Sequence, residues 1–252
     1  MAAHDSTTVN RDYYARMSPG QRDYWRKMAA ARHRVEVITK SAAQLAPGSL
    51  IDLGCGNGVL LAALHQALPT TSFAGIDLVR AQVDANALSF PWARFLERDL
   101  QQPLEPSFPW EGQFDVATAS EVIEHLDDPA SLLRNARRVL KPGGRLVLST
   151  QSGPVRETEQ LVGHRRHFSS RQMRELFSNE GFVAERVWNT GFPFHDLSKW
   201  YANLDPEGSM QEFGEAAYGL KQNVVCAALR LAFKLNSEGR GAQLFAVARR
   251  PA

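Results

Sequence analysis

Apolar positions recur along this chain with two periods, and their alternation predicts the elements. From Gln21 to Leu45, apolar residues return every three or four positions at Trp25, Met28, Ala31, Val35, Ile38, Ala42 and Leu45. That spacing predicts one long amphipathic helix, ended by Pro47-Gly48. The short run Leu50 to Leu53 predicts a strand, and Val59 to Leu68 a helix that Pro69 stops. Ser72–Leu78 and Arg94–Leu100 read as a second and a third strand, with a helix over Val79–Leu88 between them. The segment Gln101–Trp110 is rich in proline and predicts a surface loop before a fourth strand, Gln113–Ala119. Asp127-Asp128-Pro129 opens another helix, with an acid at the cap and proline at the first helical position. Lys141-Pro142-Gly143-Gly144 ends that helix, and Arg145–Thr150 predicts the fifth strand. Ser169 and Gln172 form a capping box for a helix over Ser170–Asn179, which Gly181 stops. Phe182–Trp188 predicts a sixth strand and Gly241–Arg249 a last one, with Leu244, Ala246 and Ala248 alternating against Phe245 and Val247.

Strands alternating with helices, then two consecutive β segments, predict a doubly wound, seven-stranded, mostly parallel α/β sheet with one antiparallel strand. Between the last two strands lies an insertion, residues 191–240, with an amphipathic helix over Val224–Leu235 and the aromatics Phe192, Phe194, Trp200, Tyr201, Phe213 and Tyr218. A connection of that length points to a functional wall, a helical hairpin or a dimer contact. The chain therefore divides into a tail and cap helix (1–45), a core (46–190), the insertion (191–240) and the last strand (241–252). Within the first part, residues 1–10 read as a mobile tail, and Tyr13 and Tyr14 precede a turn at Ser18-Pro19-Gly20.

Composition narrows the classes. The chain has 252 residues, 44% of them hydrophobic, which suits one core with embellishments. A net charge of +2 makes no electrostatic case for a nucleic-acid partner. Two cysteines are too few for a disulfide framework, the first residues lack an apolar signal core, and no apolar run nears the ~18 residues of a membrane span. The expectation is a cytoplasmic protein, a monomer or a homodimer.

The candidate chemistry centres on Leu50-Ile51-Asp52-Leu53-Gly54-Cys55-Gly56-Asn57-Gly58. A strand ends in an acid, three glycines follow at alternate positions, and a helix begins, which is the part of an α/β sheet where ligands bind. Glycine lets a ligand approach bare backbone, and Asp52 offers a carboxylate to a cationic or hydroxyl-bearing group. Gly54 and Gly56 also fit the dinucleotide fingerprint, but its third glycine would fall on Val59. The second and third strands likewise end in acids, Asp77 and Asp99. Asp77, about 20 residues beyond the glycines, is placed to take both hydroxyls of a ribose or to cap the helix that follows.

These residues resemble the first motif of class I S-adenosylmethionine-dependent methyltransferases. The run Leu140-Lys141-Pro142-Gly143-Gly144-Arg145-Leu146 is also typical of that family, and the chain looks like its small-molecule members, such as ubiquinone-biosynthesis O-methyltransferases and natural-product enzymes. The resemblance implies S-adenosyl-L-methionine as cofactor. It implies binding by Asp52, Gly54, Cys55 and Gly56 at the glycine turn, by Asp77 and Leu78 at the ribose, by Asp99 and Leu100 at the adenine, and by Ser120 at the fourth strand tip. It also implies a cap helix whose preceding aromatics close over the cofactor.

Acceptor chemistry is read from Ser120-Glu121-Val122-Ile123-Glu124-His125-Leu126, which leaves the fourth strand at the same rim. In a helical turn, its two carboxylates and its histidine can face one cleft. His125 suits a proton acceptor near neutral pH, with Glu121 and His167 beside it. The wording is similar, too, to small-RNA 2′-O-methyltransferases. There Glu-x-x-Glu-His and a distant histidine bind Mg²⁺, which would make Glu121, Glu124 and His125 ligands with His164 or His167. His195 has no position in this reading. The expected function is methyl transfer to a small-molecule acceptor, at a hydroxyl oxygen. The alternatives are an RNA 2′-O-methyltransferase with that Glu/Glu/His metal site, to which the chain brings only a short basic stripe, Arg165, Arg166 and Arg171, and a non-catalytic cofactor-binding protein.

Overall fold

The computed structural model describes residues 22–215 and 217–252. Tyr13, Tyr14, the predicted tail and the turn at Ser18-Pro19-Gly20 lie outside them. A seven-stranded sheet runs through the molecule in the order β3-β2-β1-β4-β5-β7-β6. Its strands are β1 (Ser49–Leu53), β2 (Ser72–Asp77), β3 (Ala93–Glu97), β4 (Phe114–Ser120), β5 (Leu140–Gln151), β6 (Val183–Thr190) and β7 (Gln243–Arg249). The pairs from β3 through β5 are parallel, and β7 lies antiparallel to both β5 and β6. Chain order reverses at β1, which opens a crevice between the carboxyl ends of β1 and β4.

Helices cover both faces, which is why β1 is apolar on both and nearly wholly buried. On one face, Ile38 and Ala42 of α2 (Ala29–Gln44) and Leu61 and Leu64 of α3 (Val59–Ala67) meet Leu50, Phe73 and Phe245. On the other, Leu132, Leu133 and Ala136 of α5 (Pro129–Val139) and Phe177 of α7 (Ser170–Asn179) meet Ile51, Ile76 and Leu146. Between β2 and β3 runs α4 (Arg80–Ser89). The predicted caps are present: Asp128 accepts from the Ala130 amide at 3.0 Å, and Ser169 with Gln172 closes the capping box of α7.

The long helix expected from Gln21 to Leu45 is two. A first segment, α1 (Arg22–Lys27), is separated from α2 by Met28, whose backbone is extended at φ −60°, ψ 129°. The apolar spacing runs straight through the break because both segments present apolar residues to the same cavity, Trp25 from α1 and Ala31 and Val35 from α2. Lys141–Gly144, expected as a turn, belongs to β5, and the register against β4 shifts between Phe114 and Val116 to accommodate it. Asp99 follows β3 rather than ending it.

The insertion holds more than one helix. After the short α6 (Glu157–Leu161) in the β5–α7 loop, it contains α8 (Phe194–Ala202), α9 (Pro206–Ser209), a π-helical turn Met210–Glu215 and α10 (Leu220–Phe233). Gly241 returns it to β7 at φ 126°, and a Cβ there would stand 2.4 Å from the Thr190 carbonyl oxygen. Gly241→Ala is therefore expected to cost about 3 kcal/mol or more, read as a fall in the denaturation midpoint, because backbone rather than a flexible side chain must move. Both cysteines are buried and unpaired, and among the described residues no helix is long and apolar enough to cross a membrane.

Candidate active site

The glycine turn is locked to β2. The Gly54 and Cys55 amides both donate to the Ile76 carbonyl, at 2.8 and 2.9 Å, and Gly58 N closes on Cys55 O at 2.9 Å. Two glycines are required for different reasons. A Cβ on Gly54, at φ 79°, would lie 2.5 Å from Val122, whereas Gly56 has nothing within 4 Å of its missing Cβ and exposes bare backbone. That backbone faces a cavity of about 250 Å³ at the carboxyl ends of the central strands.

All nine residues read from the sequence as cofactor-binding line this cavity: Asp52, Gly54, Cys55, Gly56, Asp77, Leu78, Asp99, Leu100 and Ser120. Asp52 is buried and accepts from the Thr118 hydroxyl at 2.7 Å. Burial, with the Asp77 charge nearby, pushes its carboxyl up to about 7, so a cation in the cavity would complete its ionisation. Asp77 accepts from Gly56 N at 2.7 Å and from Val79 N at 2.9 Å. Burial raises its pKa, and those amides oppose the rise. Asp99 accepts from Gln101 N at 2.9 Å, and the Ser120 and Ser149 hydroxyls lie 3.0 Å apart.

The catalytic candidates separate. His125 lies in a 3₁₀ turn (Ile123–His125), not an α-helical one, and lines the cavity. Burial pushes its imidazole down to about 4, against a backbone hydrogen bond at Gly163 and the Glu121 charge. It is neutral at physiological pH. Glu121 does not line the cavity. It adopts a left-handed backbone, φ 55°, that turns its carboxylate away from the opening. Its oxygens accept from Ser149 Oγ at 3.1 Å and Gln151 Nε2 at 2.6 Å, and Arg34 Nε stands 3.7 Å off. Despite burial, Arg34 and these hydrogen bonds hold its pKa below the usual value. His167 does not line the cavity either. It sits behind His164, 3.1 Å from His164 Nδ1, and bonds the Gly153 carbonyl.

Of the five residues read as possible metal ligands, three converge. Ligand atoms of Glu124, His125 and His164 lie within 4.8 Å of one another, and Glu121 and His167 do not join them. Glu124 is fully buried and accepts from Thr150 Oγ1 at 2.9 Å, while its Oε1 has no hydrogen-bond partner among the described residues. Burial and the Glu121 charge drive its pKa well up. Burial keeps His164 neutral as well, the form in which imidazole ligates a metal. A carboxyl oxygen and two imidazole nitrogens fit a divalent cation. His195 starts α8, buried against Phe233 and away from the cavity.

Among the cavity residues not read from the sequence as site residues, three bear on its chemistry. Arg34 reaches in from α2, 5% exposed, and its Nε makes no hydrogen bond among the described residues. A cation falling between Ala31, Val35 and Ile38 on the apolar face of a helix was the available signal. Trp25 stands on α1 with its ring 5.9 Å from the Arg34 guanidinium. Asn86 donates to Gly56 O at 2.7 Å and so braces the turn from α4; its polar side chain on a short helix carries no periodic signal.

A methyltransferase-domain family model matches residues 21–187. The ubiquinone biosynthesis O-methyltransferase of Pseudomonas paraeruginosa is 39% identical over 120 residues, 46% of this chain and 50% of that protein. Its namesake from Ralstonia nicotianae is 36% identical over 114 residues, 44% of this chain and 46% of that one. The chain thus matches about half the length of these relatives. Among solved structures, the Burkholderia thailandensis 1,6-didemethyltoxoflavin N1-methyltransferase, with 1,6-didemethyltoxoflavin and S-adenosylhomocysteine bound, superposes with a TM-score of 0.62 at 17% identity, covering 100% of this chain and 92% of that one. The [4+2]-cyclase SpnF superposes at 0.60 and 20% identity over 88% and 82%. At such identities the likeness is one of fold.

Proposed function

The chain belongs to the methyltransferase-domain family, and from that premise we propose that it transfers the methyl group of S-adenosyl-L-methionine to a hydroxyl oxygen of a small-molecule acceptor. One observation carries the reading: a single cavity combines bare Gly56 backbone, the buried carboxylates of Asp52 and Asp77, and the buried guanidinium of Arg34. Those groups complement a zwitterionic sulfonium nucleoside. Asp77 takes the ribose hydroxyls, Asp99 and Leu100 the adenine, Asp52 the cationic end, and Arg34 the carboxylate. The cofactor supplies an activated methyl and its own leaving group. The chain holds the acceptor in line, keeps water out, and accepts a proton at His125. The insertion, residues 191–240, is read as the acceptor-side wall: Lys199 of α8 ties it to Gln151 at the tip of β5, at 3.3 Å, and to Glu159 at 2.9 Å, while none of its described residues lines the cavity itself.

Transfer of label from methyl-labelled cofactor to a panel of phenols, with an RNA panel in parallel, tests the reading. Turnover on small hydroxyl acceptors is expected. Turnover on RNA alone would favour the 2′-O-methyl alternative, and cofactor binding without turnover on either panel the non-catalytic one. A second reading rests on the Glu124, His125 and His164 cluster, which would hold a divalent cation and polarise the acceptor hydroxyl. Under the first reading, EDTA leaves the rate unchanged. A loss restored by Mg²⁺ would establish the second.

A further inference from the structure

We infer that Gln151 and Lys199 are positioning residues for the cofactor: they hold Glu121 off Arg34, so that the guanidinium stays available to the carboxylate of S-adenosyl-L-methionine. The inference rests on the role given to Arg34 above, and it brings in the insertion, none of whose described residues lines the cavity. Five side chains form a buried row from the insertion to the cavity. Glu159 of α6 and Lys199 of α8 face each other at 2.9 Å, with side chains 11% and 10% exposed. Lys199 Nζ also donates to Gln151 Oε1 at 3.3 Å, and Gln151 Nε2 donates to Glu121 Oε2 at 2.6 Å. The other oxygen of Glu121, Oε1, accepts from Ser149 Oγ at 3.1 Å and stands 3.7 Å from Arg34 Nε. Arg34 lines the cavity. The row runs acid, cation, amide, acid, cation, and that alternation lets so many polar groups lie out of water.

Donor and acceptor chemistry fixes the direction of the row. An ammonium only donates and a carboxylate only accepts, so an amide between them turns its oxygen to Lys199 and its nitrogen to Glu121. Lys199 therefore selects the one orientation of Gln151 that can hold Glu121. What that hold prevents is visible at Arg34. Its Nε makes no hydrogen bond among the described residues, although a carboxylate oxygen lies 3.7 Å away. A buried donor and a buried acceptor of opposite charge close such a gap when nothing restrains them, since a charge-assisted bond forms at about 2.7–2.9 Å. Here Ser149 and Gln151 restrain the carboxylate, and the left-handed backbone at Glu121, φ 55°, sets the side it starts from. With Gln151 lost or turned round, Glu121 would move by about 1 Å, bond Arg34 and compete with an anionic ligand for it.

Calorimetry on the full chain with two ligands tests this: S-adenosylhomocysteine, which carries the carboxylate, and 5′-methylthioadenosine, which shares the nucleoside and lacks the amino-acid end. Gln151→Met and Lys199→Met are expected to weaken S-adenosylhomocysteine about tenfold, and Arg34→Gln by that or more, while methylthioadenosine stays within about twofold of wild type in all three. Lys199→Arg, which keeps the cation, should bind both ligands as wild type does. A collapsed site would weaken both ligands together, so the split between them reports the position of Arg34. Coupling is the second readout. Glu121→Gln removes the competing charge, and Lys199→Met made in that background should weaken S-adenosylhomocysteine by less than about twofold more. Lys199 lies on the insertion, so its variants carry the test should Gln151→Met fail to fold. If Arg34→Gln alone shows the split, the positioning role falls and the carboxylate assignment stands. If Arg34→Gln binds S-adenosylhomocysteine as wild type does, both fall. Equal weakening of the two ligands by Lys199→Met, or full additivity of Lys199→Met with Glu121→Gln, also overturns the proposal. These readouts need no turnover, so methyl transfer itself is tested apart.

Discussion

Asp77→Ala is expected to weaken binding of S-adenosylhomocysteine roughly 10- to 150-fold, the equivalent of ~1.5–3 kcal/mol for hydrogen bonds lost to a charged group. The structure adds a second consequence. The same carboxylate receives the Gly56 and Val79 amides, at 2.7 and 2.9 Å, so the alanine variant also leaves two N–H groups without their acceptor. Stability should fall by about 1–3 kcal/mol. Asp77→Asn discriminates the two effects. An amide has one oxygen, so it can serve one of the two N–H groups and not both. It should recover part of the stability while recovering little of the affinity, because the negative charge is gone. Calorimetry on both variants, with denaturation midpoints alongside, reads the two quantities separately. A dissociation constant within threefold of wild type for Asp77→Ala would remove the ribose assignment.

The acids at the strand tips were legible because strand, turn and helix follow one another there at short range. Asp52 and Asp77 each follow a run of apolar residues, Asp99 comes two residues after β3, and parallel strands put their carboxyl ends on one rim. The cavity receives all three. What local pattern could not carry is direction. Glu121 and Glu124 are three residues apart in one motif, yet the left-handed backbone at Glu121 sends its carboxylate to Arg34 and Gln151, while Glu124 points to Thr150. That divergence separates an ionised acid from one that burial pushes towards its neutral form. The break at Met28 was invisible for a similar reason: hydrophobic period records which side faces inward and not that the axis bends. Arg34 was the recoverable miss. A cation inside an apolar stripe demands a buried partner, and Glu121 supplies one.

That ion pair bears on the last expectation. His125→Ala is expected to lower kcat by about 10²–10⁴, the span of general base catalysis, while the cofactor dissociation constant changes by less than about threefold. Burial holds the wild-type imidazole near 4, so it is neutral over the working range and ready to take a proton. The sign of the pH dependence follows: kcat is flat from pH 6 to 8 and falls only as pH drops through about 4, where His125 protonates. A base with an ordinary histidine pKa would place that limb near 6.5. Such weak basicity at rest is offset during transfer. Glu121, kept ionised by Arg34 and its hydrogen bonds, raises the imidazole pKa through its charge and so stabilises the imidazolium as it forms. Glu121→Gln should therefore move the acid limb lower and reduce kcat without abolishing it, an effect no merely structural role for His125 would produce. Added imidazole should restore part of the rate of His125→Ala and none of that of Asp77→Ala. An acid limb at 6.5 in wild type, or a His125→Ala rate equal to wild type, would reassign the base.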